Sequence, residues 1–183
     1  MTLHGTALWL HIVLAVLLVG GSAWTHVASV RLRRARTVDE ARAHAATVHG
    51  FVKASMPLAV GTLVAGAYPA TVGSSWTSPW LVTSLALFVV VGALSGSQVD
   101  PAITELMTAL DAAPAGPLTA DLVDNLHSPR LTLAAMFGGI DLALVFLMTN
   151  KPGLLVSVLA AGTGLAVGLL LAIRERQPAA APA

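Results

Sequence analysis

Five residues in or beside otherwise apolar runs have side chains able to do chemistry: His11, His26, His49, His127 and Asp141. An ionisable group within a membrane-crossing segment is costly and normally faces the protein interior, so each calls for a partner or a purpose. His11 and Asp141 fall inside such runs. Counted inward from Gly5 and Asn150, they lie roughly 9 and 13 Å deep at 1.5 Å per helical residue. Depths this similar allow a His11–Asp141 hydrogen bond if their two segments are neighbours. Such a pair would offset the cost of both groups, and could relay protons or orient a cofactor-binding imidazole. The structural alternative is a protonated Asp141 making a local contact beside Gly138 and Gly139, with His11 bonded to a nearby carbonyl. His26, His49 and His127 stand together near the opposite boundary, where three imidazoles could hold a metal ion or haem iron. Histidine at an interface also occurs without any ligand. His44 is expected on a solvated helix face, and His4 in a mobile N-terminus. His11 and His26 are separated by roughly 22 Å and about 60° on one helix, so they cannot share a metal but can share a broad face.

Other chemistries are excluded. Cysteine is absent, which removes disulfides, thiolate metal sites and cysteine nucleophiles. There is no serine-nucleophile motif, phosphate loop or clustered carboxylate pair, so an enzyme is not the expected reading. A net charge of +1 leaves no electrostatic footprint for nucleic acid. The basic run Arg31–Arg36 reads as a topology signal that attracts anionic lipid headgroups.

The elements that must position these groups are membrane helices. Of 183 residues, 56% are hydrophobic and 10% charged, against about a quarter charged in soluble proteins. About twenty apolar residues cross the hydrocarbon layer. Five stretches meet that length as one all-α bundle: Gly5–Val30, Phe51–Val72, Pro79–Gly96, Leu131–Thr149 and Gly153–Ile173. The first is not expected to be a signal peptide, because its basic residues follow the apolar run instead of preceding it. Residues 1–176 therefore form one transmembrane domain, and the Ala- and Pro-rich tail 177–183 is expected to be disordered. Nine of ten basic residues fall on one side, with only Lys151 on the other. By the positive-inside rule that side is cytoplasmic, with the N-terminus out and the C-terminus in. Trp9, Tyr68, Trp76 and Trp80 then line the outer boundary and Trp24 lies towards the inner one. Composition suggests a bacterial source and hence a multi-pass protein of the inner membrane.

The connections carry their own signals. Thr37-Val-Asp-Glu40 predicts a capped helix from Val38 that can run into the second span. Thr71–Ser75 and Asn150–Gly153 read as turns. Asp100 is expected to cap a helix starting at Pro101, whose stripe Ile103, Leu106, Met107 and Leu110 could lie on the membrane surface. Pro114–Pro117 should end it. Small residues allow close helix packing: Gly61 and Ala65 or Thr62 and Gly66 in span two, Gly138 and Gly139 in span four. Ala160, Gly164 and Gly168 form a further stripe, open to the bundle itself, to a homodimer or to a partner membrane protein.

Several pieces carry a resemblance. Leu10-His-Ile-Val13, the Pro57…Gly66-Ala-Tyr68 pattern, Trp80–Phe88 and Leu147-Met-Thr-Asn-Lys-Pro152 together resemble the DUF2269 family of predicted bacterial membrane proteins. That family is in turn distantly similar to CopD-like copper-resistance domains and to HemJ-like membrane proteins. The HemJ resemblance implies a haem b ligand in the first span, at the place of His11. It does not extend to oxidase activity, because Thr83 stands where those proteins carry a lysine. The scattered methionines likewise lack the pairing that copper(I) favours. Three functions follow as expectations. One is a haem-binding or redox-associated protein using His11 with Asp141 in support. Another is a small transporter or proton-coupled subunit using His11 and Asp141. The last is an accessory subunit docking through the Gly164 stripe.

Overall fold

The computed structural model describes residues 2–73 and 76–176, and every regular element among them is helical. Five helical stretches are long and apolar enough to cross a membrane: Leu3–Arg33, Val38–Gly73, Pro79–Ala112, Ala120–Asn150 and Leu154–Arg174. The elements are α1 (Leu3–Arg33), α2 (Val38–Gly73), α3 (Pro79–Leu94), α4 (Asp100–Ala112), α5 (Ala120–Leu126), α6 (Pro129–Asn150) and α7 (Leu154–Arg176). A π-helical turn, Ser95–Val99, joins α3 to α4 without a break. The tail 177–183 and residues Ser74 and Ser75 of the expected turn lie outside the described residues; α2 runs on to Gly73.

Capping chemistry starts the second helix where the sequence indicates, with one shift. The Thr37 hydroxyl accepts from the Glu40 amide at 3.3 Å, but the Glu40 carboxylate reaches back to the Arg36 amide at 2.9 Å, one residue before the cap. The link between α1 and α2 is tied to the loop after α4, where the Val38 amide donates to the Gly116 carbonyl at 2.9 Å. At the far end, Lys151 closes α6 with a left-handed backbone (φ 47°) and donates its amide to Leu147, completing the tight turn into α7. Its ammonium lies 5.6 Å over the Trp80 ring.

Two apolar cores organise the molecule. One sits at the basic end, where Leu32, Val48, Ile103, Leu106, Leu110 and Leu126 are all nearly sealed. The stripe on α4 therefore faces the protein and not a membrane surface: Ile103 and Leu110 are 0% exposed. The expectation of a surface-lying helix fails because α4 continues α3 as a rod and is roofed by α1, α2, α5 and the start of α6. Asp100 accordingly caps nothing; inside this rod it pairs with Lys53 of α2 at 2.7 Å. Arg42 closes the C-terminal end of α4 instead, donating to the Leu110 carbonyl at 2.7 Å while pairing with Asp39 and Asp111. The second core packs Leu87 of α3 against Ile140, Ala143 and Leu147 of α6.

The small-residue stripe of α7 is spent within the chain. A methyl group added at Gly139 would collide with the backbone of Gly164 and Gly168, and one at Gly164 would lie 2.7 Å from Ala143. Ala160 packs into the second core. The expected docking of a second copy or partner through Ala160, Gly164 and Gly168 is thus corrected, because α6 already occupies that face. Backbone-to-backbone approach of this kind is how helices associate where lipid removes the hydrophobic drive.

Candidate functional site

α1 holds the polar groups in order. Ser22, His26, Ser29 and Arg33 are spaced by four, three and four residues, so they share one face of the helix. That face meets α6. Ser22 stands beside the Asp141 carboxylate, and Arg33 donates to the Thr132 hydroxyl at 3.5 Å. Asp141 is 9% exposed and Thr132 1% exposed. Asp141 lies near the middle of α6, twelve residues from Pro129 and nine from Asn150. No cation among the described residues forms an ion pair with it. Thr25, buried on the flank of the same face, satisfies its hydroxyl on the Gly21 carbonyl at 2.8 Å. The result is a polar seam from the basic end of the bundle to an acid at mid-membrane depth.

His11 belongs to a different seam. Its Nδ1 lies 2.8 Å from the Thr62 carbonyl of α2. A carbonyl can only accept, so Nδ1 carries the proton; in the neutral ring Nε2 then keeps a free lone pair. Gly66 makes the approach possible, since a Cβ there would lie 2.6 Å from that nitrogen. Two turns back along α1, the His4 ring stands 6.3 Å from that of Tyr68. His4 thus sits on the first turns of α1 and not in a loose terminus.

The expected His11–Asp141 contact does not form. It assumed that the two spans align at their outer ends. Instead α1 is 31 residues long, well beyond the twenty a bilayer requires, and it registers with α6 at the inner end, Arg33 beside Thr132. Ser22 then meets Asp141, and His11 lies eleven residues, roughly 16 Å, further along. Nor do His26, His49 and His127 converge: no group of three metal-ligating side chains occurs among the described residues. His127 closes α5 by bonding its own Val123 carbonyl at 2.8 Å, and the buried Nε2 of His49 has no hydrogen-bond partner. Ser22 and Thr62 were missed as partners. The spacing of Ser22 from His26 and Arg33 was a signal for the first, but nothing in the sequence says which carbonyl a histidine will choose.

The profile of the family described as predicted integral membrane protein (DUF2269) matches residues 6–152, ending just before α7. No curated protein and no solved structure matches the chain.

Proposed function

The chain belongs to the DUF2269 family of predicted integral membrane proteins, and on that footing we propose that it is a small proton-coupled membrane subunit or transporter whose proton-binding group is Asp141. The observation that carries this reading is an acid buried at mid-membrane beside a hydroxyl and without an ion-paired cation among the described residues. Such a group costs several kcal/mol to keep as a carboxylate in hydrocarbon. Protonation removes that cost, and a site that takes up and releases a proton at this depth is the working part of a relay. Ser22, His26 and Ser29 supply donors and acceptors between Asp141 and the basic end, which the positive-inside rule makes cytoplasmic. The test is proton flux in vesicles holding the purified chain, driven by a potassium diffusion potential and read by a pH-sensitive dye. Asp141→Asn should reduce the flux at least tenfold, and Asp141→Glu should retain part of it. Equal flux in the wild type and the Asn variant overturns the proposal.

A second reading rests on His11. With Nδ1 committed to Thr62, its Nε2 would be the atom to hold haem b, the bonded carbonyl fixing the ring as metal-binding histidines require. Haem would add one-electron transfer. The fit is limited to one imidazole, because no second histidine among the described residues lies beside His11; His4 is seven residues away along the same face. A Soret band after haem addition, lost in His11→Ala and kept in His127→Ala, is the expected result. A colourless preparation rejects it.

A further inference from the structure

The face of α1 turned away from the polar seam carries a second pattern. Gly20, Trp24, Val27, Arg31 and Arg34 follow at intervals of four, three, four and three residues, so they too form one stripe. A Cβ at Gly20 would meet nothing within 4 Å, so the helix face one turn from Trp24 is open. Trp24 is 61% exposed and Val27 42%. Below them Arg31, Arg34 and Arg36 are all exposed.

The basic end treats its cations in two ways. Arg42, Lys53 and Arg130 are consumed by Asp39, Asp100 and Glu105. Arg31, Arg34 and Arg36 have no acidic partner among the described residues. The nearby carboxylates are engaged elsewhere, Glu40 with the Arg36 amide and Asp39 with Arg42. Three guanidiniums are thus left facing outward at the membrane boundary, beneath an exposed indole and the open face at Gly20.

We propose that this stripe is a binding site for one acidic phospholipid. The phosphate sits among Arg31, Arg34 and Arg36, the glycerol region lies at Val27 and Trp24, and an acyl chain rests over the open face at Gly20. Guanidiniums suit this role because their planar fork binds phosphate through two parallel hydrogen bonds. Tryptophan suits the level between headgroup and hydrocarbon. Each arginine near an acidic headgroup is worth on the order of a fivefold enrichment. A lipid held here braces α1 on the side that α2 and α6 leave bare.

The test uses the full chain with Trp9, Trp76 and Trp80 changed to Phe, so that Trp24 alone reports. It is reconstituted into phosphatidylcholine vesicles containing either brominated phosphatidylglycerol or brominated phosphatidylcholine at equal mole fraction. Brominated phosphatidylglycerol should quench Trp24 with an apparent affinity at least threefold higher. The combined variant Arg31→Gln, Arg34→Gln, Arg36→Gln should abolish that preference, and the corresponding three Arg→Lys changes should retain most of it. All three positions are exposed, and helix content by circular dichroism verifies that the variants fold. Equal quenching by the two lipids, or a preference that survives the three Gln changes, overturns the proposal. So does loss of the preference on adding inorganic phosphate at constant ionic strength, which would mark a site for the free anion.

Discussion

At the scale of single residues, two contacts determine what the molecule can do. His11 reaches the Thr62 carbonyl only because Gly66 has no side chain. Gly66→Ala should therefore push the imidazole off its acceptor and lower stability by about 1–3 kcal/mol, seen as a lower unfolding temperature in detergent. Gly50→Ala, where an added methyl meets nothing within 4 Å, should leave that temperature unchanged or higher. Ser22→Ala removes the hydroxyl from Asp141 and should slow proton flux without abolishing it; an unaltered rate would place Ser22 outside the relay. The sequence marked His11 and Asp141 as needing partners, because imidazole and carboxylate are conspicuous against Leu and Val. It misassigned the partners. Helical depth was measured from an assumed outer boundary, whereas the register between α1 and α6 is set at their inner ends by Arg33 and Thr132.

At the scale of elements, the apolar lengths and the capping residues were enough to place the helices, since α2 starts at Val38 and α6 ends at Asn150. Periodicity showed that α4 has an apolar stripe but not what covers it. A stripe facing lipid and a stripe facing Leu32 and Leu126 look alike in sequence. The short α5 was missed, being seven residues with little apolar excess. The Gly164 stripe was legible as a close-packing face, yet its choice of α6 over a second copy depends on the tight turn at Lys151, which makes the two helices neighbours. Gly164→Leu should wedge α7 from α6 and cost several kcal/mol, as overpacking against backbone cannot be relieved by a rotamer change. Thermal unfolding in detergent measures it, and the oligomeric state should stay that of the wild type. Arg42→Ala strips the Leu110 carbonyl of a charged donor; with Arg42 one-third exposed, the expected loss is about 1 kcal/mol.

At the scale of the whole molecule, the chain is a membrane bundle with a sealed apolar knot at one end. That knot carries the basic residues and the ion pairs Lys53–Asp100 and Arg130–Glu105. The opposite end has the Lys151–Trp80 contact. Orientation is directly measurable because the chain contains no native cysteine. In intact cells, Lys151→Cys should react with a membrane-impermeant maleimide, and Arg36→Cys should react only after permeabilisation. The reverse pattern would put the basic knot, and with it the mouth of the Asp141 seam, on the outer side.

The wide turn Ser95–Val99 sets the azimuth of everything after it. The Asp100 amide donates to Ser95, five residues back, so this turn accommodates one residue more than an α-helical turn would. Removing a single residue such as Ser97 should therefore be absorbed, because the rod regains ordinary pitch and Ile103 still points at Leu32. Removing Thr104 instead, between Ile103 and Leu106, cannot be absorbed: keeping the wide turn swings Leu106 and Leu110 by about 100°, and closing it swings Ile103 by the same amount. Either way a core side chain leaves the knot. The Ser97 deletion should thus yield a folded chain and the Thr104 deletion one that is degraded.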